Sequence, residues 1–150
     1  MKRLLVIVGF ITASVFRVNV MAEPLDSLES ISALEWENRI LLISSDSKLK
    51  DQYLDALSDY EEQVFDRDLI WFYLVNDELE TNYPHSLDKN FINNTFVNNR
   101  GQWVFQEDDR VVLIGKDGGV KLRQNVLDLK QVFALIDTMP MRLDEMKSRR

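Results

Sequence analysis

Lys116, Lys121 and Arg123 fall within eight residues in the stretch "LIGKDGGVKLR", Leu113 to Arg123, which also holds three of the chain's five glycines. Cationic side chains beside a glycine-rich loop can hold an anion, because backbone N–H groups and charged donors converge where no Cβ intervenes. Asp117 in the loop and Arg142 farther along complete the candidate binding set. The spacing excludes a phosphate loop of the nucleotide-binding kind. Arg110 stands where its first glycine is required, and Asp117 stands where Ser or Thr would meet magnesium. The dinucleotide-binding fingerprint fails too. The competing reading is that Lys121 and Arg123 guard an exposed sheet edge against pairing with other chains, and both readings stay open at this level.

Other chemistries have fewer residues to work with. Met139, Met141 and Met146 surround Pro140, and soft thioethers suit Cu(I), although methionine is equally an ordinary filler at a helix end. His85, in "NYPHSLD", is the single histidine, and no Ser, His, Asp set can be assembled around it. It reads as a solvated loop residue. The acidic runs "NDELE" and "QEDD" follow no calcium-loop spacing and read as solvated faces. With no cysteine, the chain has no disulfide, no thiol redox chemistry and no thiolate metal site. No cofactor is expected.

The elements that must position these residues begin after a leader. In the first 22 residues a basic start, Lys2 and Arg3, precedes an apolar run from Leu4 to Phe16, and Ala22 supplies a small residue for cleavage. That is the pattern of a secretory signal peptide; a membrane span needs about 20 apolar residues, and Arg17 interrupts this run. The expectation is a periplasmic or secreted protein with no transmembrane anchor after cleavage, residues 23–150 forming one domain. The chain carries 18 basic and 25 acidic residues; loss of Lys2, Arg3 and Arg17 leaves 15 basic and a net charge of −10. Such a charge disfavours nucleic acid and anionic membrane as partners. A protein or a small anionic ligand is the expected partner.

Ile40 to Ile43 form an unbroken apolar run that suits a strand buried on both faces. Ser47 to Phe65 carries Leu49, Tyr53, Ala56, Leu57, Tyr60 and Val64 at helical spacing, and Leu69 to Val75 reads as a second strand parallel to the first. From Asp77 to Asp109 the pattern turns polar, with helical spacing only around Leu87, Phe91 and Phe96 and a short strand at "QWVF". A hairpin follows, then a helix containing Leu129, Val132, Phe133 and Ile136, capped by Asp128 and ended near Met139 by Pro140. The tail reads as a frayed turn. The order β-α-β-α-β-β-α predicts a thioredoxin-like α/β fold, a mixed four-stranded sheet with helices on both faces.

Two hairpin registers compete. A two-residue turn at Asp117-Gly118 would put Ile114 opposite Lys121. A three-residue loop, with Gly118 in the left-handed region, pairs Gly115 with Gly119, Ile114 with Val120 and Val112 with Leu122, so that one face becomes wholly apolar. The second register is the better one, and a negative φ at Gly118 would exclude it.

"GKDGGVKLR" and "IDTMPMR", with "LEWENRILLIS" and "RDL" upstream, resemble a family of exported bacterial proteins known only as a domain of unknown function, across Leu28 to about Met146. That family is similar to domains of animal sushi-repeat and coiled-coil-domain extracellular proteins, and is grouped with peroxiredoxin-like, thioredoxin-fold domains. The resemblance implies the fold and brings no activity. Where thioredoxin-like enzymes carry the reactive Cys, this chain reads "SSDSK", Ser44 to Lys48, and Asp109 and Arg110 replace the cis-proline before the third strand. The expectation is a binding or adaptor domain rather than an enzyme. The alternatives are an oxidoreductase relative working without its own thiol and a structural envelope-associated protein.

Overall fold

The computed structural model describes residues 27–97 and 110–149; the leader, "QWVF" and "QEDD" lie outside them. Its centre is β1 (Arg39–Ser44), whose apolar run is covered on both sides. β1 pairs in parallel with β2 (Leu69–Val75), Arg39 opposite Leu69, and antiparallel with β4 (Val111–Ile114), Ile40 opposite Ile114. β5 (Val120–Gln124) extends the sheet beyond β4. The order β2-β1-β4-β5 agrees with the thioredoxin-like arrangement.

A fifth strand, β3 (Glu78–Thr81), adds an antiparallel edge to β2 and corrects the expected count of four. Its turn is built by Asn76 and Asp77, both with positive φ, 48° and 64°. Two left-handed residues in a two-residue loop match the twist of a hairpin, and Asn and Asp tolerate that conformation best after glycine.

Successive strand residues face opposite sides, so the sheet separates two cores. On one side Leu41, Ile43, Tyr73 and Leu113 pack against three helices: α1 (Lys50–Asp59), α2 (Glu61–Asp66) and α3 (Leu129–Ile136). On the other, Ile40, Leu42, Phe72, Val112 and Ile114 meet Leu28, the 3-10 turn Ile31–Leu34 and Phe91, whose ring packs tilted against Phe72 at 4.8 Å between centroids. A π-helical turn, Asn93–Val97, stands in the region of the predicted weak helix.

The helix predicted from Ser47 to Phe65 divides. Ser47–Leu49 is a 3-10 turn that leaves Leu49 exposed, and the backbone bends at Tyr60 between α1 and α2. Hydrogen bonds run through the bend, from the Tyr60 N–H to the Ala56 carbonyl and from the Val64 N–H to the Tyr60 carbonyl. The stripe Tyr53, Leu57, Val64 is therefore buried as one face. α3 stops at Ile136, with Asp128 accepting the Gln131 N–H at 3.0 Å as its cap. The expected frayed tail is instead a nine-residue helix, α4 (Pro140–Ser148), with Pro140 at its start, where the missing N–H costs no helical bond.

The hairpin loop follows the three-residue reading. Gly118 has φ 73°, its N–H reaches the Gly115 carbonyl at 3.0 Å, and the Gly115 N–H reaches the Gly119 carbonyl at 2.9 Å. Ile114 opposes Val120 as expected, but the pairing of Val112 with Leu122 is overturned: a bulge at Lys121 sets Leu122 opposite Leu113 and Arg123 opposite Val112. The extra residue reverses the alternation of β5. Val120 then packs into one core and Leu122 into the other, which no regular register allows, because residues two apart in a strand share a face.

Gly118→Ala should lower stability by about 1 kcal/mol, from left-handed strain and crowding against Glu35, whose carboxyl carbon stands 3.1 Å from the added Cβ. Gly119→Ala, whose tightest contact is the flexible end of Lys121 at 3.3 Å with the Asp117 carboxylate at ordinary distance, should cost clearly less. Urea midpoints compare them, and equal losses would contradict the turn.

Candidate functional site

Arg39 opens β1 on the helix-covered face, and its side chain is 1% exposed. A guanidinium so placed must be neutralised and hydrogen-bonded. Glu145 on α4 meets both terminal nitrogens at 3.1 Å, and the Arg67 carbonyl accepts from Nη1 at 2.8 Å. Nε is buried without a partner. Glu145 also receives Lys116 from the hairpin loop at 2.9 Å, and Lys116 holds Asp68 at 2.8 Å. One carboxylate thus ties the first residue of the central strand, the hairpin loop and the last helix together.

A second set adjoins the first. Arg142, one turn before Glu145, is buried and donates to the Asp66 carboxylate and carbonyl and to Asp137. Arg67 reaches Asp137 at 2.6 Å while lying over the Phe133 ring. Burial alone would push the Glu145 carboxyl up, but hydrogen bonds and charge from Arg39 and Lys116 outweigh it and hold the group below its ordinary value. Asp66 follows the same logic: Arg142, Arg149 and Arg67 overcome the desolvation and lower it.

Beside this network the hairpin loop and the α3–α4 joint enclose a cleft of about 360 Å³. Gly115, Lys116, Asp117 and Lys121 form one wall; Thr138, Met139, Pro140 and Met141 form the other, and Arg39 also lines the space. Of the expected binding set, Lys116, Asp117 and Lys121 are therefore brought together. Arg142 is buried in the adjoining ion network, and Arg123 lies on β5 opposite Val112. Lys121 pairs with Asp117 at 2.6 Å, and the Gly119 N–H also donates to Asp117; the Lys121 hydrogen bond leads in lowering that carboxyl, against a smaller opposing effect of burial. Among the described residues β5 is the last strand of the sheet, so the edge-guarding reading of Lys121 and Arg123 also keeps its basis.

The methionines come together in part: Met139 and Met141 line the cleft, and Met146 is half-buried on α4. His85 is exposed and stands edge-on to Tyr83. In "NDELE", Glu78 and Glu80 face Lys50 at 3.4 and 3.0 Å. At the other end of β1, the Ser45 hydroxyl shares a 2.5 Å hydrogen bond with the Tyr73 hydroxyl. A second depression, about 480 Å³, lies between α1, α2 and β2 beneath the exposed Phe65. There the Asn82 side chain closes the open edge of β2, accepting from the Trp71 N–H at 2.8 Å and donating to the Leu69 carbonyl at 3.1 Å.

Sequence reasoning passed over Arg39, Asp66, Asp68, Asp137 and Glu145. The one signal was an arginine abutting an unbroken apolar strand, a place from which the guanidinium ordinarily reaches solvent. A family model for a domain of unknown function, DUF4174, matches residues 30–145, spanning β1, the cleft and the Arg39 partner Glu145. The chain belongs to that family. No curated protein and no solved structure matches it. The DUF4174 match begins at the turn before β1 and ends on the α4 carboxylate that closes the network.

Glu145→Gln removes the neutralising charge from a buried guanidinium and should cost about 3 kcal/mol at neutral pH. Because the folded pKa of Glu145 lies below its ordinary value of 4.5, its contribution is complete above that pH and is lost as pH falls through the depressed folded value. Chemical denaturation from pH 7 to pH 3 should therefore show the gap between the parent chain and Glu145→Gln closing below about pH 4.5. A gap independent of pH would contradict the assignment.

Proposed function

We propose that this DUF4174 chain is an exported, thioredoxin-like domain that binds a ligand rather than transforming one, through the cleft between the hairpin loop and the start of α4. One observation carries the reading: residues singled out for their chemistry in two distant segments, Lys116, Asp117 and Lys121 with Met139 and Met141, line one small cavity. Its volume falls at the lower end of the range for small-molecule sites. Export rests on the leader. The kinship with peroxiredoxin-like domains and with animal extracellular proteins rests on the motifs, and belongs to the same proposal.

The position of the reactive thiol in thioredoxin-like enzymes supports binding over catalysis. Ser44 to Lys48 occupies it here, and the Ser45 hydroxyl in it meets the Tyr73 hydroxyl and the Asp46 backbone carbonyl. An alcohol without an adjacent base is a poor nucleophile near neutral pH. A thioether metal site is the second reading, because Met139 and Met141 share the cleft wall.

An NMR screen of a small-molecule fragment set against the purified chain should give hits whose shifts cluster at residues 115–121 and 138–141. Scattered hits would contradict the cleft as the site, as would peroxide consumption or disulfide reduction above background. Silver ion should leave the Met139 and Met141 methyl signals in place; their joint displacement would favour the thioether reading.

A further inference from the structure

We propose that the depression between α1, α2 and β2 docks an apolar, basic segment of a partner protein, a second site independent of the cleft. The groove holds about 480 Å³. Leu54, Ile70, Trp71 and Pro84 give it an apolar lining, and Phe65 stands at its rim 83% exposed, more than any other large apolar side chain among the described residues. An exposed phenyl ring beside an apolar groove has the composition of an interface core rather than of a solvated helix face. Trp36, at the same end of the sheet, adds a second observation. It is 64% exposed and has φ 71°, the left-handed region where glycine is the ordinary residue. Its N–H is held by the Lys116 carbonyl, and Asn38, two residues on, lines the groove. A fold that keeps a strained, solvated indole bears a cost that burial against a partner would offset.

Charge selects the partner. The lining of the groove includes two carboxylates, Glu61 and Asp68, and no cation. Asp68 is taken by Lys116, which leaves Glu61. On the wall formed by α1 and α2, Asp51, Asp55, Asp59 and Glu62 are exposed as well, and with Glu61 they form no ion pair among the described residues. The one cation of these helices, Lys50, is met by Glu78 and Glu80. An unmet negative field around an apolar floor calls for Lys or Arg flanking apolar side chains. A second copy of the chain does not supply that, since pairing this face with itself sets carboxylate against carboxylate. The space admits on the order of fifteen non-hydrogen atoms at roughly 30 Å³ each, about two large side chains. A ligand confined to it leaves Phe65 in water, whereas a chain crossing the rim covers the ring. Asn82 already takes the Trp71 N–H and the Leu69 carbonyl, so this part of the β2 edge offers no ladder to an added strand and recognition falls to side chains.

The test is an NMR titration of the purified chain with three acetylated, amidated tetrapeptides: Lys-Leu-Phe-Lys, Glu-Leu-Phe-Glu and Lys-Ser-Ser-Lys. The first should shift the backbone signals of Ser58, Glu61 and Phe65 together with the Trp71 indole and Asn82 side-chain N–H groups. The other two should bind at least about tenfold more weakly, one for its charge and the other for its missing apolar surface. Glu61→Lys should weaken the basic apolar peptide about fivefold and Phe65→Ala about tenfold, both at exposed positions where the fold is retained. Trp36→Gly should weaken it about threefold while raising the urea midpoint, because glycine relieves the left-handed strain. Binding of either control peptide as tightly as the first overturns the partner's assigned chemistry. Undiminished binding in Glu61→Lys and Phe65→Ala overturns the groove as the docking site. A dimer in sedimentation, with groove signals that move with protein concentration alone, gives this face to a second copy and overturns the inference. Absence of any shift at the groove with the basic apolar peptide overturns it outright.

Discussion

A guanidinium at the first residue of the central strand has to be neutralised where water does not reach it, and much of this end of the molecule follows from that requirement. Arg39 draws in Glu145, and Glu145 brings α4 across the end of the sheet. Lys116 joins the same carboxylate and carries the hairpin loop with it. Asp68, which accepts Lys116, sits at the joint of α2 and β2 with φ 48°, and its carbonyl takes the Arg39 N–H at 2.9 Å. Segments far apart in the chain are thus registered by charge rather than by apolar packing. Desolvation makes such a network a modest net source of stability, but removing one member leaves another charge stranded, so the arrangement is hard to perturb in parts.

The cleft is a by-product of that registration. The hairpin loop is held by its lysine and α4 by its acid, and the space between them is bounded by Gly115 and the Met139 to Met141 joint. Gly115 matters here for its lack of a side chain: a Cβ would stand 2.5 Å from the Lys121 side chain. The bulge at Lys121 serves both cores by splitting Val120 from Leu122, and it places the lysine on the cleft wall. Packing and site geometry therefore share one irregular residue.

What could be read in advance was what hydrophobic periodicity encodes. Ile40 to Ile43, the stripe Tyr53, Leu57, Val64, the strand from Leu69 and the Gly118 turn all carry patterns that local physics makes nearly unambiguous, and with them the α/β layout and the parallel β1–β2 pair. β3 escaped because Glu78–Thr81 contains one apolar residue and its only strong signal, Asn76-Asp77, merges into a polar run. α4 escaped for a related reason. Its inward residues, Arg142 and Glu145, are charged, and Met141 and Leu143 are exposed, so its periodicity is that of an ion network rather than a core. The bulge was hidden because β4 is apolar on both faces, which makes either register of β5 plausible from β4 alone. Half of the candidate site, the loop with Lys116, Asp117 and Lys121, was legible as chemistry; Arg39 was not, since a charge flanking a strand ordinarily marks its exit to solvent.

If Arg39 and Glu145 organise this end of the fold, their contributions must be strongly coupled. A double-mutant cycle on Arg39→Met and Glu145→Leu, read by urea denaturation at neutral pH, measures that coupling directly. Glu145→Leu strands the buried guanidinium and should be markedly destabilised, Arg39→Met leaves Glu145 to Lys116 and should cost less, and the double variant, apolar at both positions, should recover enough to give an interaction energy of about 2 kcal/mol or more. Losses that add to within about 0.5 kcal/mol would contradict the account.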